Sequence, residues 1–169
     1  MANAYTRDAS RVDKALRQKG IVVVMARDYA RNPQDVINTI HAIYEAGYIA
    51  EVTFRIPEGI VKEAMGELRR RREETFRTKP NDPMFIGVGS VINPRELESA
   101  FEMGFDMVVG PDTCMGGCRE AIEFVRIVRA HKVFGCPGAF SPSEFSYYLE
   151  REDGLPRIVI RRFADGEEH

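Results

Sequence analysis

Polar side chains recur at every second position in residues 50–55, which spell Ala-Glu-Val-Thr-Phe-Arg. Because side chains alternate between the two faces of a strand, Glu51, Thr53 and Arg55 are predicted to share one face. A carboxylate and a guanidinium inside a protein are costly unless they pair or handle a ligand. We therefore expect an acid–base and anion-binding site on this strand, with an internal Glu51–Arg55 ion pair as the structural alternative.

A glycine-rich strand end forms the second candidate group. Gly87-Val88-Gly89-Ser90 offers two glycines that permit close backbone approach and a hydroxyl beside them. Turns use the same residue types, so this segment alone has a purely structural explanation. Together with an inward-facing Glu51 and Arg55 one strand away, it indicates a site that binds a carboxylate.

The three cysteines suggest a further possibility, a zinc site. Cys114 and Cys118 are expected in the loop after the fourth strand and Cys136 near the end of the fifth, with His131 or His169 as a fourth ligand. However, His131 is expected at the opposite end of the fifth strand, and cysteine is often simply buried. We therefore predict no metal site and no cofactor, and leave open whether the cysteines do more than pack.

Strand-like and helix-like segments alternate along the chain. A leading helix is predicted at residues 10–19, and the apolar run 20–26 is typical of a strand buried on both faces. Asn32-Pro33, Asn93-Pro94 and Ser141-Pro142 each have a good capping residue followed by proline, which indicates three helix starts. Further strands are predicted at 50–55, 84–87, 107–110, 133–136 and 157–162, with further helices at about 60–72 and 119–130.

This alternation predicts a parallel sheet covered by helices, in a single domain of 169 residues. Six strands are counted, and the sixth has no helix after it. Ligands of such folds bind at the carboxyl ends of the strands, where both candidate groups lie.

The charge balance and the apolar stretches of the chain bear on whether it binds nucleic acid or a membrane. With 24 basic and 26 acidic residues the net charge is −2, so no global field favours nucleic acid or a membrane surface. The charged run 69–74 is interpreted as a solvated helix end. The longest apolar stretch is far shorter than a membrane span, and the first residues lack a signal-peptide core. We expect a cytoplasmic protein with reduced thiols and a small-molecule partner.

The motifs resemble those of the 2-keto-3-deoxy-6-phosphogluconate (KDPG)/4-hydroxy-2-oxoglutarate aldolase family. The likeness follows the family's order from about Gly20 to Phe163 and rests on residues 51–55, 87–91, 109–111 and 137–144. It implies a trimeric (β/α)₈ TIM barrel. It also implies a class I aldolase, which cleaves a 2-keto-3-deoxy sugar acid phosphate to pyruvate and an aldehyde through a lysine imine.

The resemblance also assigns residues to roles. It implies that Glu51 is the general acid/base and that Arg55 binds substrate. Ser90, preceded by Gly89, stands where the family has a threonine that contacts the pyruvate carboxylate. Pro111 corresponds to a proline that lines the pocket. These roles agree with the chemistry, because a carboxylate can shuttle protons while guanidinium and hydroxyl donors suit a ketoacid.

Two departures from the family pattern affect the expected activity. Arg161 occupies the position of the imine lysine, and arginine remains protonated and does not form this imine. Arg161 is therefore expected either to contact a substrate anion or to be a residue of a frayed terminal strand. The five lysines map away from the strand ends, and the barrel is expected to stop after its sixth strand.

Two functions follow. The first is an aldolase-like lyase acting on a 2-keto-3-deoxy sugar acid. The alternative is a catalytically impaired relative that acts as a ketoacid-binding or oligomeric scaffold protein. The edges of an open sheet favour pairing with other chains, so a homo-oligomer, a trimer by resemblance, is expected in either case.

Overall fold

The computed structural model describes residues 4–110, 118–139, 141–143, 146 and 160–161, with no side chains described at 118–122 and 160–161. No helix of this described part is both long and apolar enough to cross a membrane. The elements in chain order are α1 (Ala9–Lys19), β1 (Val22–Met25), a 3₁₀ turn (Arg27–Tyr29), α2 (Pro33–Glu45), β2 (Ile49–Thr53), α3 (Glu58–Thr78), β3 (Ile86–Gly89), α4 (Pro94–Met103), β4 (Met107–Gly110), α5 (Cys118–Ala130), β5 (Phe134–Ala139) and β6 (Ile160–Arg161).

All six strands lie in one parallel sheet in the order β1-β2-β3-β4-β5-β6. Each neighbouring pair is also consecutive in sequence, which is the strand order of a (β/α) barrel. The predicted alternation of strands and helices is confirmed. The register places Glu51 beside Gly87 and Thr53 beside Gly89, so the two candidate groups of the sequence lie on adjacent strands.

Of the three predicted helix starts, the two asparagine-proline starts are confirmed at atomic detail. The Asn32 side chain accepts a hydrogen bond from the Asp35 amide at 3.0 Å, and Asn93 accepts one from the Glu96 amide at 2.9 Å. In each case proline occupies the first turn, where its missing N–H is not needed. At the third start, Pro142 and Ser143 are helical, and most of the predicted helix lies outside the described residues.

Two clusters of buried apolar residues pack against the sheet. The larger lies between the sheet and the helices α2 to α5. The smaller joins Val12, Ala15 and Leu16 of α1 to Ile49, Phe85, Met107, Val109, Phe134 and Cys136, which are all buried. Three residues of this smaller cluster, Ile49, Met107 and Phe134, are the first residues of their strands. Helix α1 therefore packs across the amino ends of the strands, opposite the end where the candidate site lies.

The charged run 69–74 is only partly the solvated helix end that the sequence predicts. Arg72 is buried, and its Nη1 donates to Asp106 Oδ2 at 2.7 Å and to the Gly104 carbonyl at 2.8 Å. Asp106 also accepts hydrogen bonds from the Tyr5 hydroxyl at 2.6 Å and the Ile86 amide at 3.0 Å. Burial, followed by the Asp106 charge, raises the pKa of the Tyr5 phenol, so it remains a donor. This pair joins α3, β3, β4 and the N-terminal segment.

Candidate functional site

A buried carboxylate from the middle of β2 lies against the glycine that ends β3. Glu51 is 4% exposed and is a residue of β2. A Cβ atom added to Gly89 would overlap Glu51 Oε1 and lie 2.7 Å from its Cδ. Such a separation is far below van der Waals contact, so any larger residue at position 89 would require the Glu51 carboxylate to move. The structure thus brings two of the sequence-predicted site residues into direct contact.

Two hydroxyl groups, those of Thr53 and Ser90, lie at the carboxyl ends of the same two strands. Thr53 Oγ1 donates to Ser90 Oγ at 3.3 Å, and it accepts a hydrogen bond from the Arg55 amide at 3.2 Å. Thr53 is 8% exposed, whereas Ser90 is half-buried and has a φ of 60°. That left-handed conformation turns the chain sharply after β3. The hydroxyls therefore lie at the opening of the site, beyond the buried Glu51.

The prediction that Arg55 lies on the strand with Glu51 is wrong. β2 ends at Thr53, and Arg55 lies in the following turn, with its side chain 44% exposed. Its Nη2 donates to Glu96 Oε1 at 2.6 Å and to the Ser90 carbonyl at 3.1 Å. The Thr53 hydroxyl accepts the Arg55 amide and so stabilises the turn in place of the ladder. The ion pair that holds Arg55 is with Glu96, not the predicted one with Glu51.

Cys136 lies inside the sheet near Glu51. It is 1% exposed, and burial, followed by the nearby Glu51 charge, raises the pKa of its thiol. Both observations are typical of a cysteine that packs in the interior. The His131 ring stacks on Phe101 at 4.0 Å, before β5 begins. Within the described residues no cluster of side chains could hold a metal ion. Cys114, His169 and the Cys118 side chain lie outside what the structure describes.

Two further predicted site residues cannot be placed against Glu51. Pro111 lies outside the described residues. The backbone of Arg161 is in β6, where it pairs in register with Ala139, while Ile160 pairs with Gly138. The Arg161 side chain is not described, so its predicted substrate contact stays a prediction.

All five lysines of the chain fall within the described residues. None lies on a strand or in a loop that follows one, because Lys14 and Lys19 are on α1, Lys62 on the outer face of α3, Lys79 at its end, and Lys132 before β5. The five lysine side chains are thus placed by the element bounds on helices, at a helix end or before a strand, and the loss of imine chemistry stays a prediction.

Glu96 is a further residue of the candidate site, and it was not predicted from the sequence. Its only sequence signal was the spacing Asn93-x-x-Glu96, which is typical of a helix cap. The structure shows both functions, because Glu96 Oε2 accepts from the Ile92 amide at 2.8 Å while Oε1 holds Arg55. The cap was predictable from spacing, but the contact with Arg55, which is 41 residues away in sequence, was not.

We expect Gly89→Ala to destabilise the protein by about 1–3 kcal/mol, the usual cost of overpacking, because the Glu51 side chain must leave its position. Gly66→Ala is the matched control, since Gly66 lies on the exposed face of α3 with nothing within 4 Å of a new Cβ. That change should stabilise the helix by about 0.5–1 kcal/mol. Urea unfolding measures both. A Gly89→Ala variant as stable as Gly66→Ala would show that the carboxylate does not rest on Gly89.

The order of strands and the helices between them define a fold of the (β/α) barrel type. Among solved structures, the 4-hydroxy-2-oxoglutarate/KDPG aldolase from TTHB1 aligns at 23% identity and a TM-score of 0.56, covering 82% of this chain and 58% of that one. The KDPG aldolase of Legionella pneumophila, solved with pyruvate captured as a covalent carbinolamine, aligns at 19% identity and a TM-score of 0.52, covering 80% and 56%. The family resemblance of the sequence is thereby confirmed at the level of fold.

The chain spans less than three fifths of the length of these aldolases. A candidate racemase from Roseobacter denitrificans aligns at 11% identity and the same TM-score of 0.56, covering 92% of this chain and 51% of that one. No family model and no curated protein sequence matches the chain. The fold is therefore shared by proteins of different reaction classes, and the reaction has to be argued from the site.

Proposed function

We propose that this protein is an aldolase-like lyase that binds a 2-keto-3-deoxy sugar acid, or its phosphate, and releases pyruvate and an aldehyde. The observation that carries the proposal is the buried Glu51 carboxylate of β2, packed on Gly89 at the carboxyl end of the neighbouring parallel strand β3. Ligands of this fold bind at that end of the sheet. Glycine there leaves room for the carboxylate and for close approach of a ligand to the backbone of β3.

Glu51 would be the group that moves the proton. In the cleavage direction its carboxylate accepts the proton of the substrate hydroxyl at C4 as the C3–C4 bond breaks and the aldehyde forms. The electron pair of that bond passes to C3 and the C2 carbonyl, which gives the enolate of pyruvate. The proton then returns from Glu51 to C3, which leaves pyruvate and restores the carboxylate.

Arg55 and the Thr53–Ser90 hydroxyls would bind the ketoacid end of the substrate. A guanidinium that is 44% exposed at the opening of the site is accessible to a carboxylate, and its bond to the Ser90 carbonyl holds it beside the hydroxyls. Charge-assisted hydrogen bonds of this kind are among the stronger ones available to a carboxylate ligand. Pro111 and Arg161 remain part of the proposed site by resemblance alone.

The positions of the lysines favour a second candidate, a ketoacid-binding protein without turnover. An imine supplies the electron sink of a class I aldolase, and no lysine of this chain lies at the strand ends. The same pocket would then bind pyruvate or a 2-keto sugar acid without cleaving it. Both candidates share the ligand class and the site and differ in whether a carbon–carbon bond is broken.

Borohydride reduction in the presence of pyruvate shows whether the protein forms an imine with the ketoacid. We expect the intact mass of the protein to remain that of the unmodified chain, because no lysine lies on a strand or in a loop that follows one. A reduced pyruvyl adduct would contradict the placement of the lysines. In parallel, release of pyruvate from KDPG and from 4-hydroxy-2-oxoglutarate should be followed. Pyruvate release without an adduct supports the lyase, whereas binding without release supports the second candidate.

Assembly and location are proposed on the resemblance only. We infer a single-domain homo-oligomer, a trimer as in the aldolase family, in the cytoplasm. Sedimentation of the purified protein tests the oligomeric state, and a monomer at all concentrations would refute it.

A further inference from the structure

The guanidinium of Arg55 is held at one of its nitrogens only. The two hydrogen bonds of its side chain within the described residues, with Glu96 Oε1 and the Ser90 carbonyl, both use Nη2. Arginine has five N–H donors in a planar fork, and Nη2 supplies two of them. Among the residues that the structure describes, Nη1 and Nε have no protein acceptor, and the side chain remains 44% exposed. Since Nη2 belongs to both forked edges of the guanidinium, Nε–Nη2 and Nη1–Nη2, the donors left for a ligand are the separate N–H groups of Nη1 and Nε.

Glu96, the acceptor of this anchor, is itself fixed to the backbone. It lies in the first turn of α4, where its amide donates to the Asn93 side chain at 2.9 Å. Its second carboxylate oxygen accepts from the Ile92 amide at 2.8 Å. The side chain is 23% exposed, so it has little freedom to rotate. A residue that is held at both ends in this way can hold a long, flexible partner in one position.

We propose that Glu96 is a positioning residue that holds Arg55 against the carboxyl end of β3, so that the N–H groups of its Nη1 remain free to donate to the carboxylate of a 2-keto acid. The inference rests on the proposed function and adds to it a residue that touches no substrate. Fixing the guanidinium before binding removes part of the entropy that a ligand would otherwise have to overcome. It also joins the β2–α3 turn to the start of α4 across the opening of the site.

The test uses the full chain and pyruvate as the probe. We expect Glu96→Gln to weaken pyruvate binding by about 3- to 10-fold, the effect of one long side chain that must be ordered on binding. Glu98→Gln is the matched control, because it removes the same charge from the exposed face of the same helix, and it should bind pyruvate like the unaltered protein. In an Arg55→Met background, the Glu96→Gln change should have no further effect on binding.

A second readout does not depend on the ligand. In the free protein, ¹⁵N relaxation of the Arg55 Nε–H should show greater side-chain mobility in Glu96→Gln than in Glu98→Gln. Unchanged mobility together with unchanged pyruvate affinity would overturn the role of Glu96 while leaving the site intact. Failure of the unaltered protein to bind pyruvate, with mobility increased as expected, would instead refute the proposed function, since the anchor would exist without the ligand.

Discussion

Glu51→Gln is expected to lower the rate of pyruvate release from a 2-keto-3-deoxy sugar acid by about 10²- to 10⁴-fold, the usual contribution of a positioned acid–base group. The amide has nearly the shape of the carboxylate, so it still fits against Gly89, but it cannot accept and return a proton. Binding of pyruvate and the assembly of the protein should change little. Steady-state kinetics with KDPG, together with a pyruvate titration of both proteins, measures these effects.

Glu102→Gln provides the control for charge, because Glu102 is exposed on α4 and its replacement changes the net charge by the same amount. It should retain the rate of the unaltered protein. Turnover by Glu51→Gln within threefold of that rate would show that another group moves the proton. If the unaltered protein binds pyruvate but releases none from any substrate, the ketoacid-binding candidate is supported and Glu51 has no catalytic role.

Asp106→Ala is expected to lower the free energy of unfolding by about 3–5 kcal/mol, the cost of breaking a buried ion pair. The change leaves the charge of Arg72 buried, with its side chain only 6% exposed, and removes the acceptor of the Ile86 amide. It also leaves the Tyr5 hydroxyl without its acceptor. Guanidinium unfolding followed by circular dichroism measures the loss.

Asp13→Ala is the matched surface control, since Asp13 pairs with Arg17 on α1, where both side chains are at least 34% exposed. Its loss should cost only about 0.2–1 kcal/mol. The double replacement Arg72→Met/Asp106→Leu should recover a large part of the stability lost in Asp106→Ala, because it removes both buried charges. Equal losses in Asp106→Ala and Asp13→Ala would show that the Arg72–Asp106 pair contributes no more than a surface pair.

The arrangement of strands and helices was predictable because local signals agree along the chain. Apolar runs, asparagine-proline caps and glycines before strands each indicate the same parallel α/β order. Gly104, for example, has a φ of 85° at the end of α4, where a left-handed residue is needed. The strand boundaries were predicted less well. The third strand begins at Ile86 and not at residue 84, and the Ile86 amide donates to the Asp106 side chain.

The site was predicted in part. Alternation along β2 placed Glu51 inward, and the glycines of β3 indicated close approach, which the contact of Glu51 with Gly89 explains. The prediction from alternation was wrong for Arg55. The strand ends two residues earlier, at Thr53, and side chains no longer alternate between two faces beyond it. Glu96 and Asp106 acquire their roles from partners 41 and 34 residues away, and contacts at such separations leave no periodic signal in a single sequence.

The central claim is that the carboxyl ends of β2 and β3 form a 2-keto acid site, and a titration of the ¹⁵N-labelled protein with pyruvate tests it most directly. We expect the largest amide shifts at Arg55, Gly89, Ser90 and their neighbours, with acetate at equal ionic strength as the control. Saturable shifts confined to these strand ends, stronger for pyruvate than for acetate, are the predicted result. An unchanged spectrum, or shifts centred on another surface, would contradict the claim.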